Sequence, residues 1–405
     1  MVIVRLFREH RTFVVLLATI ILTEIAHGIE IVSILPLYLT KHFHETETFV
    51  GLVASTYLFV DALLTRTPAG WLTDRWGRKR TLLLGLAFSA APIVAMMFVA
   101  DAFDFIPINI VNGIGAGMIW PAIYSMVADA YGREQRGTVL GLVNMVMLGG
   151  IAAGGPIVGN VLLDALGYPA PGAFTYAFVA CLVLILLAFT LVVFFAHELP
   201  HTRRVQETDE GSIRNAPLNF VLLLFIGLLI TFAMGLIVPV ITLFGTDVMR
   251  VPPRVFALVL VPPALTAALV LIPAGRWADR AGRELPLLLG LIIIAIPFWG
   301  APLSIDPVIV SSGGVLAGLG YALLVPAWNA LIMDWIPAQA RGVFLGAIAT
   351  VQGVGLALGP AVGGALWNQI GVYAPFTASA VLFSFAVGCA AWFVRRRQVQ
   401  ARLAR

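Results

Sequence analysis

The chain has 405 residues, of which 60% are hydrophobic and only 11% are charged, and its mean hydropathy is +0.97. Because soluble domains carry roughly 25% charged residues, this composition excludes a soluble enzyme, a disordered chain and a nucleic-acid-binding domain. The two cysteines, Cys181 and Cys389, lie inside apolar runs, so neither a disulfide framework nor a cysteine-based metal site is expected.

Twelve apolar runs separated by polar breaks predict an all-α integral membrane protein with twelve transmembrane helices. A membrane-spanning helix needs about 20 predominantly apolar residues, and these runs lack the short alternating pattern of an outer-membrane barrel strand. The predicted spans cover residues 12–39, 48–70, 81–100, 104–129, 137–163, 172–196, 218–245, 254–275, 285–303, 307–334, 342–368 and 373–394.

The basic residues predict the orientation of these spans. With the N-terminus placed in the cytoplasm, 21 of the 25 Lys and Arg residues fall in cytoplasmic segments. Lys41, Arg250 and Arg254 fall outside, and Arg66 lies inside a span. An excess of this size follows the positive-inside rule, so we expect a multi-pass plasma-membrane protein with both termini in the cytoplasm.

The second half of the chain repeats the first at a nearly constant offset. The segment Pro68–Arg78 recurs 205 residues later as Pro273–Arg283, and Gly155–Pro156 recurs 204 residues later as Gly359–Pro360. Two equivalent halves around a midplane site can expose that site to each side in turn, which favours a transporter over an enzyme or a receptor. The predicted parts are a six-helix half at 1–196, a cytoplasmic linker at 197–217 and a homologous six-helix half at 218–405.

The loop between the predicted second and third spans reads Gly70-Trp-Leu-Thr-Asp74-Arg75-Trp-Gly77-Arg78-Lys79. It fits the pattern G-x-x-x-D-R-x-G-R-K, and across its whole length the chain resembles the major facilitator superfamily, in particular its 12-span drug/proton antiporters. The resemblance implies a secondary active transporter, not an enzyme, in which this loop and a degenerate copy at Gly275–Arg283 help to latch the halves in one state. The alternative is that the arginines only set the topology. The latch candidates are Gly70, Asp74, Arg75, Gly77, Arg78, Asp279 and Arg280.

A glycine- and proline-rich motif occurs in the fifth predicted span and again in the eleventh. The stretch Gly149–Gly159 resembles the G-x-x-x-G-P-x-x-G pattern that the family associates with antiporters, and Gly355–Gly364 is similar to it. Small residues at this spacing let helices pack closely and proline bends a helix. The motif therefore serves either an antiport hinge or packing alone. The residues concerned are Gly155, Pro156, Gly359 and Pro360.

Ionisable residues inside the predicted spans are the main functional candidates, because a charge at mid-bilayer is costly. Glu24, His27 and Glu30 share one side of the first span, and Asp61 lies near the middle of the second with Arg66 five residues further on. Burial favours the protonated form of a carboxyl group, so these side chains can bind protons or polar parts of a substrate, with Glu24 and Asp61 as the main pair. The alternative is a set of buried structural pairs, such as Asp61 with His27 or Arg66.

Other polar and aromatic residues are candidates for lining a cavity, although isolated aromatics often only pack. An apolar, aromatic cavity with one acidic side suits amphipathic or cationic solutes. Proton-coupled members of the superfamily commonly carry an arginine in the fourth span, where this chain has Asn109. Coupling therefore runs through the carboxylates, or the protein is not proton-driven. The cavity candidates are Trp120, Tyr124, Asn109, Asn329 and Gln352.

Together these features predict proton-coupled export of small hydrophobic or cationic compounds by alternating access. The alternatives are a glycolipid flippase or metabolite carrier of the same fold, and a membrane receptor or sensor without transport. The stretch Glu24-Ile-Ala-His27-Gly28 with Asp61 is similar to the carboxylate arrangement of bacterial glycolipid flippases in the superfamily. We expect a monomer in the lipid bilayer whose partners are protons and a small-molecule substrate, with no metal or cofactor, no nucleic acid and the proton gradient as its driving force.

Overall fold

The computed structural model describes residues 11–130, 139, 142–143, 145–147, 149–197, 218–335 and 341–403. Within these ranges the chain is helical and contains no strand. Ten of the described helical segments are long and apolar enough to cross a membrane, and Phe220–Gly235 is a shorter apolar helix. The all-helical membrane fold is thus confirmed. The count of twelve stays a prediction, because the span at 137–163 lies partly outside the described residues.

Contacts among the described residues divide the chain into two compact units. The first unit holds the residues up to His197 together with Pro252–Ala257, and the second holds the remainder from Leu218 onward. The helices of the first unit are α1 (Arg11–Gly28), α2 (Leu35–Lys41), α3 (Glu47–Phe59), α4 (Arg66–Trp76), α5 (Arg78–Met96), α6 (Phe105–Ala130), α7 (Gly155–Ala165) and α8 (Pro171–Phe195). The later helices are α9 (Leu218–Gly235), α10 (Ile241–Leu243), α11 (Pro253–Ala281), α12 (Glu284–Gly300), α13 (Pro307–Trp335), α14 (Arg341–Gln369) and α15 (Ala374–Leu403).

Local signals in the sequence explain several helix boundaries. The Thr46 hydroxyl caps α3 by accepting a hydrogen bond from the Phe49 amide at 3.3 Å. Gly77 separates α4 from α5 with a φ of 101°, and Gly282 separates α11 from α12 with a φ of 88°. This left-handed backbone favours glycine, so both copies of the signature loop turn at a glycine.

Four wide π turns interrupt the described helices, and each has a local cause. They are π1 (Ile29–Ile34), π2 (Val60–Thr65), π3 (Gly150–Gly154) and π4 (Phe244–Val248). A proline has no backbone N–H and its ring clashes with the carbonyl four residues earlier. Each π turn contains the residue four positions before a proline, and these prolines are Pro36, Pro68, Pro156 and Pro252. The wide turns accommodate the prolines without ending the spans.

The predicted span at 218–245 is wrong as a single helix. Helix α9 ends at Gly235, and a turn through residues 236–240 precedes α10. Pro239 would clash with the Gly235 carbonyl in a continuous helix. At the same point Gly235 packs against α14 so closely that a Cβ there would lie 3.0 Å from the Gly359 Cα. The helix therefore breaks where a close contact holds its end.

Glycine contacts of the same kind hold the first unit together. The Cα of Gly28 on α1 lies so close to Gly155 of α7 that there is no room for a side chain at either residue. Gly113 of α6 packs on the second span, where a Cβ would lie 2.7 Å from the Tyr57 carbonyl oxygen and 3.2 Å from the Asp61 amide nitrogen. Small residues at such contacts let membrane helices approach closely, and here they bring α1, α3 and α6 around the ionisable residues.

Candidate functional site: a buried acidic cluster in the first unit

The four ionisable residues predicted for the site are all buried in the first unit. Glu24 is 4% exposed, His27 1%, Glu30 0% and Asp61 7%. The charges of Glu24, Glu30 and Asp61 all act on the hydroxyl of Tyr57, which is itself 3% exposed. The sequence placed these carboxylates on two spans, and the fold gathers them around one side chain.

Asp61 and Arg66 form a two-pronged ion pair. Arg66 donates from Nε to Asp61 Oδ1 at 3.2 Å and from Nη2 to Oδ2 at 2.9 Å. In an α-helix, residues five apart point about 140° away from each other, so this pair would not form. The intervening π turn, Val60–Thr65, follows an i to i+5 repeat and brings Arg66 onto the same side as Asp61.

This ion pair has one closed end and one open end. The Asp61 side chain is 9% exposed, whereas the Arg66 side chain is 43% exposed. Of the structural pairs considered from the sequence, Asp61 with Arg66 is the one that forms. The site can therefore release or hold a charge at Asp61 while Arg66 stays accessible.

Glu24 lies on α1 beside the π3 turn. A Cβ at Gly150 would lie 2.6 Å from the Glu24 Cβ, so only glycine fits there. Glu24 interacts electrostatically with both Asp61 and Arg66. The glycine-rich motif of the fifth span thus supplies the wall against which this carboxylate rests.

Glu30 lies in the π1 turn and is held by a residue that sequence reasoning missed. Asn112 of α6 donates from Nδ2 to Glu30 Oε1 at 2.7 Å. Glu30 Oε2, Asn112 Oδ1 and His27 Nε2 are buried without a hydrogen-bond partner. The rings of His27 and Tyr57 lie 6.0 Å apart. A neutral asparagine carries no sequence signal of its own; only its position one residue before Gly113 sets it apart.

The predicted cavity-lining residues do not form one group. Trp120 is 6% exposed, and its ring centroid lies 5.7 Å from that of Tyr124, which is partly buried. Tyr124 feels the charges of Arg66, Glu24 and Asp61, so this aromatic pair borders the acidic cluster. Asn109 does not, because it is buried and donates to the Phe105 carbonyl of its own helix at 2.9 Å.

The two candidates in the second unit differ from each other. Gln352 of α14 packs near Gly227 of α9, where a Cβ would lie 3.3 Å from the Gln352 Cγ and 3.0 Å from Trp328 Cζ2. Asn329 is exposed. The described residues of the second unit thus offer polar groups but no intramembrane carboxylate at this depth.

The residues of the signature loop have separate surroundings. Arg78 forms an ion pair with Asp129 of α6, from Nε to Oδ2 at 2.9 Å, and both side chains are 10% exposed. The Arg75 guanidinium lies 4.3 Å above the Trp71 ring, and Asp74 is exposed. A Cβ at Gly70 would meet no neighbour within 4 Å. Arg78 therefore braces the first unit, while Asp74 and Arg75 stay accessible.

The second copy of the loop has a similar division. Arg283 donates from Nη1 to the Ala330 carbonyl at 2.7 Å. Asp279 and Arg280 are exposed. The latch role of the exposed residues in both copies stays a prediction.

The described spans and their buried, paired charges define the class of the protein as a membrane transporter rather than an enzyme. The chain belongs to the Major Facilitator Superfamily, because the model of that family matches residues 13–262 and 223–405. This confirms the resemblance that was drawn from the signature loop.

Relatives and solved structures agree with this assignment. The chain is 27% identical over 400 residues to the proton-coupled antiporter flippase LtaA of Staphylococcus saprophyticus, covering 96% of each sequence. It is 26% identical over 366 residues to the protein of the same name from Staphylococcus aureus, covering 88% of each. The crystal structure of a bacterial homologue of the human lysosomal transporter Spinster, inward-facing and occupied, matches with a TM-score of 0.78 at 16% identity, covering 95% of this chain and 97% of that one. At that identity the likeness concerns the fold.

Proposed function

We propose that this transporter is a proton-coupled antiporter that moves an amphipathic substrate whose polar part donates hydrogen bonds. The observation that carries the proposal is the buried Asp61, paired with Arg66 and electrostatically coupled to Glu24. The family supplies the alternating-access framework. The name of the staphylococcal relatives, which are similar along 88–96% of this chain, supports proton coupling.

Antiport requires that proton and substrate compete for one site. An ionised carboxylate only accepts hydrogen bonds, whereas a protonated one has lost part of that capacity. Asp61 has acceptor sites left after binding Arg66, since its two oxygens offer about four lone pairs in all. Sugar hydroxyls or an amine would bind Asp61 and Glu24 in their charged forms and be displaced on protonation. A purely anionic substrate would instead bind together with the proton at Arg66.

This argument leaves two substrate classes, of which the lipid-linked one is our first choice. A glycolipid combines sugar hydroxyls with an apolar tail, and the relatives are named flippases. The second choice is export of small cationic compounds, which the surplus of carboxylates over the single arginine at this site favours. For either class we propose a plasma-membrane monomer with both termini in the cytoplasm, driven by the proton gradient without a cofactor.

The test uses the purified protein in proteoliposomes. A fluorescent glycolipid and a panel of cationic dyes are offered with a pH gradient in either direction and with the gradient collapsed by a protonophore. Proton-driven antiport predicts flux that reverses with the gradient and disappears without it. Flux that ignores the gradient would contradict the proposal, and the substrate that moves decides between the two classes.

Asp61→Asn provides the matched control, because asparagine keeps the shape of the side chain but cannot exchange a proton. Net proton-driven flux should fall at least about tenfold, which corresponds to about 1.4 kcal/mol. Exchange of labelled for unlabelled substrate, which moves no net proton, should persist. Equal loss of both activities would indicate a structural role for Asp61 instead.

A further inference from the structure

A second acidic site lies in the first unit, apart from the Asp61–Arg66 pair. Glu30 and Asn112 are each 0% exposed, and their side chains are joined by the 2.7 Å hydrogen bond between π1 and α6. Among the described residues Glu30 has no salt bridge to a basic side chain. An unpaired carboxylate charge in such a place is strongly disfavoured. Glu30 is therefore stable in this structure as a neutral acid.

We propose that Glu30 and Asn112 form a second proton-binding site, with Glu30 carrying an exchangeable proton and Asn112 acting as its positioning residue. The proposal rests on the proposed proton-coupled function and deepens it. Asn112 Nδ2 holds one carboxyl oxygen, which leaves Glu30 Oε2 to carry the proton. That oxygen and Asn112 Oδ1 are both buried without a partner, as expected where a proton or a small polar group is still to be accommodated.

The groups that face Glu30 come from every element packed around it. His27 lies one turn earlier on the same span, Tyr57 faces it from α3, and Cys181 of α8 feels its charge. The Cys181 thiol donates to the Ala26 carbonyl, with a sulfur–oxygen distance of 3.6 Å. Tyr57 and Cys181 are neutral near pH 7. His27, whose Nε2 has no partner, is thus the one group in this set that can take up the proton that Glu30 releases.

Helix α6 provides a physical link from this site to Asp61. Asn112 binds Glu30, and the next residue, Gly113, presses its backbone on the amide of Asp61. One turn of α6 thus contacts both carboxylate sites. A change in the Glu30–Asn112 hydrogen bond on proton exchange would move the backbone against which Asp61 rests.

The proton itself is detected by pH-dependent infrared difference spectroscopy on the purified full chain, which reports the C=O stretch of protonated carboxyl groups. Glu30→Gln should remove one such band. Asn112→Asp places a second carboxyl beside Glu30 and should move the midpoint of that band by at least about one pH unit to higher pH. Asn109→Leu is the matched control, since Asn109 is equally buried on α6 but bonds only its own helix; it should leave the band unchanged.

Transport gives the second readout. The number of protons moved per substrate, from the pH gradient that just balances a substrate gradient, should fall in Glu30→Gln by the proton that Glu30 carries. An unchanged band and an unchanged stoichiometry in Glu30→Gln would overturn the proposal. If wild-type flux ignores the pH gradient while the band persists and depends on Glu30 and Asn112, the proposed function fails and the proton site stands.

Discussion

At the residue scale, the chemistry of the site depends on the two-pronged contact between Asp61 and Arg66. A guanidinium presents a planar fork that matches a carboxylate, whereas an ammonium is a point charge on a flexible stem. The 2.9 Å and 3.2 Å contacts use that fork. The side chain at position 66 therefore sets both the charge and the orientation of Asp61.

Arg66→Lys should consequently reduce proton-driven flux about tenfold or more while the protein still folds. Because the Arg66 side chain is 43% exposed, screening keeps the loss of stability near about 1–2 kcal/mol, below the 3–5 kcal/mol of a fully buried pair. Melting of the purified protein and flux in proteoliposomes measure the two effects. Unchanged flux in Arg66→Lys would mean that charge alone, without the fork, is enough.

At the element scale, the glycine–proline motif has a packing role that the structure makes specific. Gly155 meets Gly28 with no room for a side chain, whereas a Cβ at Gly149 would meet no neighbour within 4 Å. Both residues belong to the same motif. The pair therefore separates packing from any effect of the motif as a whole.

Gly155→Val should destabilise the first unit by about 1–3 kcal/mol or more, since overpacking a close contact costs this amount. Gly149→Ala is the control and should melt like the wild type. The hinge interpretation predicts otherwise: Gly149→Ala would then also reduce transport at unchanged stability. Thermal melting together with flux decides between packing and hinge.

The signature loop divides in the same way between bracing and accessible residues. Arg78→Ala should lower stability by about 3–5 kcal/mol, because it leaves Asp129 buried without its ion-pair partner. In a double-mutant cycle with Asp129→Ala, the two losses should not add. Arg75→Ala should leave the melting temperature near that of the wild type, and any loss of flux would then support the latch. A large drop in stability for Arg75→Ala would contradict this division.

The sequence was informative where the signal is local and silent where it is tertiary. Apolar runs predicted nearly every described span, and Pro36, Pro68 and Pro156 were recognised as landmarks. That each proline widens the turn before it, and so aligns Arg66 with Asp61, required the helices to be built. Asn112 escaped notice because a neutral residue becomes significant only when folding places it against Glu30.

At the scale of the whole molecule, orientation is the property that composition predicted most directly. The split of basic residues, 21 cytoplasmic to 3 outside, places the turn between α5 and α6 and the turn between α12 and α13 outside the cell. It places the turn between α11 and α12 in the cytoplasm. Exposed residues in these turns offer sites for labelling from either side.

Single cysteines introduced into a chain lacking Cys181 and Cys389 test this orientation. In intact cells, a membrane-impermeant maleimide should label Asp101→Cys and Leu303→Cys but not Arg276→Cys, all three being exposed positions. Permeabilised cells should show labelling at all three, which controls for reactivity. The reverse pattern in intact cells would invert the topology and place the open end of the proton site on the other side of the membrane. Labelling of Asp101→Cys alone would mean that the two halves do not share one orientation, which would contradict the repeat at an offset of 205 residues.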